Sequence, residues 1–266
     1  MEKTARSPFW RTSLALSVLG VIGVVLVVPY TEALLGPAIA AAARTAHIPA
    51  ATMLAASLGQ AAILLLIAIP IGLWAARRLG LTSPLVAALA AGRPLPKFGS
   101  RMLLCLILGA LLGGALLALD IYGFKPPASL SLAAGTQPAA WKGLLASFYG
   151  AFVEEQLLRL FVMSLIALVL QAVITGGRPS SRPMGLGTFW AANLAAAVLF
   201  GLGHLPATAA LAPLTTMLVV RALVLNGLLG VVFGDAFRRW GLEFAMAMHF
   251  GADLVLHVAP PLILGH

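Results

Sequence analysis

Two histidines and a pair of adjacent glutamates stand in otherwise apolar stretches of this chain. Glu154 and Glu155 share one stretch with Arg159, and His204 and His249 lie in two later stretches. Carboxylates and imidazoles are the side chains that most often transfer protons in hydrolysis. Such groups are costly in an apolar helix, and a common polar site lowers that cost for all of them. The sequence therefore predicts one acid-base site built from three segments.

Helical spacing separates the two glutamates. Glu155 and Arg159 are four residues apart, which places them on one face and predicts a buried ion pair within one helix. Glu154 is turned about 100° from its neighbour and has no cation in its own helix, so we expect it to face another helix. A carboxylate in such a place suits a general base or acid. The alternative is that both glutamates are structural, each satisfied by an arginine or a backbone group.

The spacing of the histidines adds a second argument. His249 and Asp253 are four residues apart, so the carboxylate is expected to orient the imidazole. His204 considered alone is more typical of a satisfied core residue, but its occurrence with two other polar motifs favours a shared site. Asn226 lies in a further apolar stretch, where it is either an additional hydrogen-bond donor or an interhelical packing residue.

The amino-acid composition indicates what kind of protein holds these residues. Of the 266 residues, 61% are apolar and 9% are charged, whereas a soluble protein carries about 25% charged residues. So few charges do not cover a water-facing surface, which argues against a soluble enzyme, a nucleic-acid-binding protein and a disordered chain. A polytopic membrane protein remains. The single cysteine, Cys105, excludes an intrachain disulfide.

Apolar runs predict an all-α transmembrane bundle of seven spans, since roughly 20 helical residues cross a hydrocarbon core of about 30 Å. The predicted spans are 12–35, 51–76, 102–119, 144–174, 189–205, 211–233 and 242–264. The run 84–91 is too short to cross and is interpreted as interfacial or loop. Gly109 and Gly113 form a small-xxx-small motif in the third span, which favours close helix packing.

The basic residues predict an N-terminus inside and a C-terminus outside the cell, because cytoplasmic loops are rich in Lys and Arg. Twelve of them fall on one side: Lys3, Arg6, Arg11, Arg77, Arg78, Arg93, Lys97, Arg101, Arg178, Arg182, Arg238 and Arg239. Three fall on the other side, Arg44, Lys125 and Lys142, and Arg159 and Arg221 lie inside spans. The net charge of +9 is therefore explained by the orientation of the protein in the membrane and not by a nucleic-acid-binding surface. We expect the first span to be retained, because its apolar run exceeds the 7 to 15 residues of a signal-peptide core.

Three motifs carry a family resemblance. Glu-Glu-x-x-x-Arg at 154–159, Phe-x-x-x-His at 200–204 and His-x-x-x-Asp at 249–253 resemble the motifs of the CPBP family, the CAAX-type intramembrane glutamic endopeptidases. The resemblance covers about 141–260. It divides the single membrane domain into a variable part at 1–140, with three spans, and a catalytic four-helix core at 141–266. Asp253 replaces the Asn that is commoner in the family.

The resemblance implies that Glu154 and His204 activate a water molecule that attacks a peptide carbonyl. His249, with Asp253 behind it, would stabilise the oxyanion, and Glu155, Arg159 and Asn226 would support the site. The implied substrates are membrane-associated peptides or proteins, including lipidated ones. No metal or other cofactor is expected. Zinc is the alternative, because one carboxylate and two histidines can hold it with an open position for water, although His-Glu-x-x-His does not occur.

Two other classes of function remain open from the sequence. Buried Glu and His also act as proton relays in transporters, but the duplicated spans or paired half-helices typical of transporters are not evident. A family member that binds without cleaving, as a scaffold or immunity protein, is the other alternative. The expected partners are the lipid bilayer and a peptide or protein substrate, with no nucleic acid. A composition rich in alanine and glycine is typical of a GC-rich bacterial genome, which predicts a multi-pass protein of the bacterial inner membrane.

Overall fold

The regular elements of this computed structural model are helical throughout the described residues, which are 8–95, 97–131, 137–176 and 184–264. The α-helices are α1 (Phe9–Leu26), α2 (Val28–Thr45), α3 (Ala50–Leu79), α4 (Pro84–Ala90), α5 (Gly99–Ala118), α6 (Ala140–Tyr149), α7 (Ser164–Ile174), α8 (Leu186–Gly203), α9 (Leu205–Leu211), α10 (Thr216–Trp240), α11 (Leu242–Asp253) and α12 (Ala259–Leu264). The π-helical segments are Leu119–Phe124, Gly150–Glu154, Gln156–Met163 and Leu254–Val258, and Ala128–Leu130 is a short 3-10 helix.

Seven helical segments in the described part of the chain are long and apolar enough to cross a membrane. They are Phe9–Leu26, Ala50–Leu79, Gly99–Phe124, Ala140–Ile174, Leu186–Leu211, Thr216–Trp240 and Leu242–Leu264. Large apolar side chains such as Ile63, Leu111 and Val173 are more than half exposed, as expected where lipid covers them. The all-α bundle of seven spans is confirmed, and the protein is a multi-pass membrane protein.

The orientation of the bundle stays a prediction. It depends on the distribution of basic residues, four of which, Lys3, Arg6, Arg178 and Arg182, lie outside the described residues.

The first predicted span is wrong at its C-terminal end. It ends at Leu26 instead of residue 35, because the chain turns at Val27 and α2 starts at Val28. Pro29 lies in the first turn of α2. Proline has no backbone N–H and fits the first turn of a helix better than its interior. α2 consequently begins as a separate helix.

The boundary between the fifth and sixth predicted spans is also corrected. The fifth span continues past His204 to Leu211, and α10 begins at Thr216 instead of residue 211. The Thr215 hydroxyl accepts a hydrogen bond from the backbone N–H of Leu218 at 3.3 Å, which is an N-cap. His204 is therefore well inside its span. The run 84–91, interpreted as interfacial or loop, contains the short helix α4.

Close packing of α5 against α11 holds the helix that carries His249. Gly109 lies against the backbone of Met248, and a Cβ atom on Gly113 would be 2.7 Å from the carbonyl oxygen of Ala252. Neither position has room for a side chain, which confirms the predicted role of this glycine pair. The approach buries α11 along almost its whole length.

Two buried polar contacts fix the ends of the helices around the site. The Glu243 carboxylate, in the first turn of α11, accepts hydrogen bonds from the Ser83 hydroxyl at 2.9 Å and the Val86 N–H at 2.8 Å. Arg221 of α10 forms a two-pronged ion pair with Asp120, at 2.5 and 2.7 Å. The first contact ties α4 to α11, and the second ties the end of the third span to α10.

Candidate active site

The fourth span departs from α-helical geometry where it carries the acidic motif. Glu154 ends the π segment Gly150–Glu154, and Arg159 lies in the π segment Gln156–Met163. π turns are rare and occur frequently at functional sites. The wider turns change the angle between successive side chains, so the two adjacent glutamates are not separated as a regular α-helix would separate them.

Gly150 lets this segment approach α11. A Cβ atom at this position would lie 2.8 Å from His249 Nε2 and would also contact the Asp253 carboxylate. The missing side chain is therefore what allows the acidic motif and the His249 motif to meet.

His249 is surrounded by three carboxylates. Its Nδ1 atom is 2.8 Å from Glu155 Oε1, and its Nε2 atom is 3.6 Å from both Glu154 Oε2 and Asp253 Oδ2. Since a carboxylate accepts hydrogen bonds, Nδ1–H donates to Glu155. The Nε2 edge of the ring faces the other two acids.

This arrangement differs from the expected one in two respects. Glu155, and not Asp253, makes the hydrogen bond that orients the imidazole from behind. Glu154 was expected to face another span alone, but both glutamates reach His249, one at each ring nitrogen. The π-helical turns of the fourth span account for the difference.

The expected ion pair between Glu155 and Arg159 is present. Arg159 Nη1 is 3.3 Å from Glu155 Oε1, and both side chains are almost completely buried. The guanidinium group lies 4.9 Å from the ring of Phe200 and 5.6 Å from that of Phe233. Arg159 is thus held by one carboxylate and two aromatic faces.

The same two phenylalanines fix the imidazoles. Phe233 stacks on His249 with ring centroids 4.7 Å apart, and Phe200 meets the His249 ring edge-on at 6.0 Å. Phe200 also packs edge-on against His204 at 4.9 Å. The two histidines therefore both pack against one aromatic ring.

His204 occupies the break between α8 and α9. Its Nδ1 atom is 2.9 Å from the carbonyl oxygen of Phe200. Because a carbonyl oxygen accepts, Nδ1 carries the proton, which leaves Nε2 of the neutral ring as a proton acceptor.

A cavity of about 480 Å³ connects these groups. Its polar lining includes Tyr30, Tyr149, Glu154, His204, Asn226, His249, Asp253 and His257. Glu154 is 21% exposed, whereas the side chain of Glu155 is fully buried. Five of the seven predicted site residues thus line one cavity, and Glu155 and Arg159 lie behind its wall. Asn226 donates from Nδ2 to Ala222 of its own helix at 3.0 Å.

The sequence reasoning missed several residues of this site, among them Tyr30, Tyr149, Phe233 and His257. His257 follows Asp253 by four residues, as Asp253 follows His249, and this repeated spacing is a signal that could have identified it. Nothing in the sequence connects Tyr30 or Phe233 to the site, because both arrive through long-range helix packing.

The part of the chain that the structure describes contains no preformed metal site. No group of three or more His, Cys, Asp and Glu side chains there is arranged to hold a metal ion.

Residues 136–255 match the family model described as type II CAAX prenyl endopeptidase Rce1-like. This segment is similar to the Rce1-like CAAX endopeptidase family. The resemblance seen in the three motifs is thereby confirmed, and the match contains Glu154, His204, His249 and Asp253. An endopeptidase family indicates that the protein is a protease, a hydrolase of peptide bonds. The first three spans lie outside the match, and no curated protein or solved structure is significantly similar to the chain.

Proposed function

We propose that this protein is an intramembrane endopeptidase in which Glu154 and His204 activate the attacking water. His249, assisted by Asp253, stabilises the oxyanion. The proposed substrates are membrane-associated peptides or proteins, including lipidated ones, and the proposed location is the bacterial inner membrane with the N-terminus inside. The observation that carries the proposal is the convergence of Glu154, His204 and His249 on one cavity within a bundle of a protease family.

Glu154 is the carboxylate best placed to accept a proton from water. Glu155 is engaged with His249 and Arg159, and Asp253 is 9% exposed, whereas Glu154 is 21% exposed and lines the cavity. A water molecule held by Glu154 would also lie beside His249 Nε2, because the two groups are 3.6 Å apart. General-base catalysis contributes about 100- to 10,000-fold.

His204 supports the same step from another helix. Its Nδ1–H is committed to the Phe200 carbonyl, so Nε2 is available to hold or accept a proton in the cavity. The same atom, once protonated, can return that proton to the leaving nitrogen of the peptide.

His249 suits the stabilisation of the oxyanion because its ring is fixed before substrate binds. Glu155 accepts from Nδ1–H and Phe233 stacks on the ring face, so in the imidazolium form the second N–H, on Nε2, faces the cavity as the donor to the oxyanion. Loss of one preorganised oxyanion donor typically lowers kcat by about 100- to 1000-fold. Asn226, which also lines the cavity, is proposed as a supporting donor.

The mechanism proposed here requires no metal ion. Glu154 supplies the base and His249 the electrophilic stabilisation that zinc would otherwise provide. A zinc enzyme would lose activity on treatment with chelators, whereas the mechanism with Glu154 and His249 would not.

The test is cleavage of a library of membrane-anchored peptides by the purified full-length protein in liposomes, read by mass spectrometry. Wild type is compared with Glu154→Gln and His204→Ala. Glu32→Gln is the matched control, because Glu32 is exposed and lies outside the cavity. We expect Glu154→Gln and His204→Ala each to lose at least about 100-fold in kcat, with the control unchanged. Equal cleavage by all four proteins, or binding without cleavage by wild type, contradicts the proposal.

A further inference from the structure

A line of polar side chains continues from the cavity carboxylates to the second helix. The Tyr30 hydroxyl lies 3.1 Å from His257 Nδ1, and the two rings meet edge-on with centroids 5.6 Å apart. His257 Nε2 lies 3.9 Å from Asp253 Oδ1, while Asp253 Oδ2 lies 3.6 Å from His249 Nε2. Asp253 therefore stands between two imidazoles, with one oxygen toward each.

The backbone fixes His257 in this place. It lies in the π segment Leu254–Val258, which directly follows α11. Gly143 of α6 contacts the backbone carbonyl of His257, and no side chain at 143 would fit there. The His257 side chain is 28% exposed and lines the cavity together with Tyr30.

Asp253 needs a partner in addition to His249. Glu154 and Asp253 both lie 3.6 Å from His249 Nε2, which offers at most one N–H. Two carboxylates in a buried site repel each other when both are charged. A hydrogen-bond donor on the far side of Asp253 offsets part of the negative charge of Asp253. The repulsion between Asp253 and Glu154 is then weaker, and Glu154 remains available to bind water.

The tautomer of His257 is compatible with that role. When the Tyr30 hydroxyl donates to Nδ1, the proton of the neutral ring is on Nε2, the atom that faces Asp253. Hydrogen bonds in catalytic sites are often long in the free enzyme and shorten in the substrate complex. A separation of 3.9 Å is close enough for a small rotation to complete the bond.

We propose that Tyr30 and His257 are positioning residues for Asp253. Tyr30 sets the tautomer and ring plane of His257, and His257 Nε2–H holds Asp253 Oδ1, so that Asp253 supports His249 without competing with Glu154. This inference rests on the function proposed above. It also accounts for an aspartate at position 253: an asparagine there carries no charge and needs no such partner.

The test is a set of double-mutant cycles on peptide cleavage by the full-length protein in liposomes. Tyr30→Phe and His257→Leu are measured in the wild-type and in the Asp253→Asn background. We expect each to lower kcat about 10-fold in wild type, as for one lost hydrogen bond to a charged group, with KM within about twofold. In the Asp253→Asn background the same changes should have effects below about twofold. Additive losses in the two backgrounds overturn the inference.

A conservative variant at 257 keeps the inference testable if His257→Leu misfolds or if the Asp253→Asn protein is inactive. Glutamine at 257 keeps an N–H donor, so His257→Gln should retain kcat within about threefold of wild type while His257→Leu does not. Equal losses for the two variants overturn the inference. Tyr122→Phe is the matched control, because Tyr122 is 76% exposed. If wild type cleaves and Glu154→Gln does not, a negative result at 30 and 257 removes this inference alone. If wild type does not cleave, the proposed function fails first.

Discussion

Replacement of Glu155 by glutamine should destabilise the protein strongly, because it leaves the Arg159 charge buried without a counter-ion. Arg159 Nη1 and Nη2 have no hydrogen-bond partner among the described residues, and Glu155 is the carboxylate with which Arg159 forms its ion pair. Removal of one member of a buried pair costs about 3 to 5 kcal/mol. Cation–π contacts with Phe200 and Phe233 remain, at about 2 kcal/mol each when desolvated. We therefore expect a loss near the lower end of that range.

The double variant Glu155→Gln with Arg159→Met separates charge from packing. Replacement of a whole buried pair by uncharged groups is often neutral, so the double variant should be more stable than Glu155→Gln alone by about 1 to 3 kcal/mol. The assay is reversible SDS unfolding in detergent micelles, followed by tryptophan fluorescence. The exposed Glu32→Gln serves as control and should change the free energy of unfolding by less than about 0.5 kcal/mol. A loss below about 1 kcal/mol for Glu155→Gln, or strictly additive single effects, would refute the reasoning.

Three further predictions concern helix contact and mechanism. Gly150→Ala should lower kcat about 100-fold, because the added methyl group displaces the His249 imidazole. Gly36→Ala is the control and should leave kcat unchanged, because a methyl group there meets no atom within 4 Å. Equal kcat values for the two variants would contradict the close approach of helices at Gly150. Gly109→Ala should lower the free energy of unfolding by about 1 to 3 kcal/mol because its methyl group meets the backbone of α11. Gly114→Ala on the same helix, where the added methyl group would have its nearest neighbour atom at 4.0 Å, should be neutral or slightly stabilising. Equal effects at 109 and 114 would count against close packing at Gly109. Peptide cleavage should continue after treatment with EDTA or phenanthroline, and loss of cleavage that zinc restores would overturn the metal-free mechanism.

Hydropathy predicts the spans well, because the free-energy cost of placing a segment in lipid depends mainly on the composition of that segment. It predicts the helix ends less well, because single residues such as prolines and N-caps determine where a helix starts. The first span ends at Leu26, nine residues before its expected end, because a new helix with Pro29 in its first turn follows it, and the Thr215 cap moves the start of α10.

The residues of the site were predictable where they share a helix and less so where they meet across helices. Spacing by four predicted the Glu155–Arg159 pair, which the structure contains. The hydrogen bond between His249 and Glu155 depends on π turns, which have no clear signature in the sequence. Tyr30 reaches the site across 227 residues of chain, a contact that no local pattern indicates.

The central claim is that Glu154, His204 and His249 act on one water and one peptide carbonyl. Its most direct test is an experimental structure of the wild-type protein with a peptide that carries a hydroxyl-bearing isostere at the scissile bond. If the claim is correct, the isostere hydroxyl lies within about 3.2 Å of both a Glu154 carboxylate oxygen and His249 Nε2, with His204 in the same cavity. An isostere bound elsewhere, or one that contacts His249 while Glu154 remains beyond the reach of one bridging water, would contradict it.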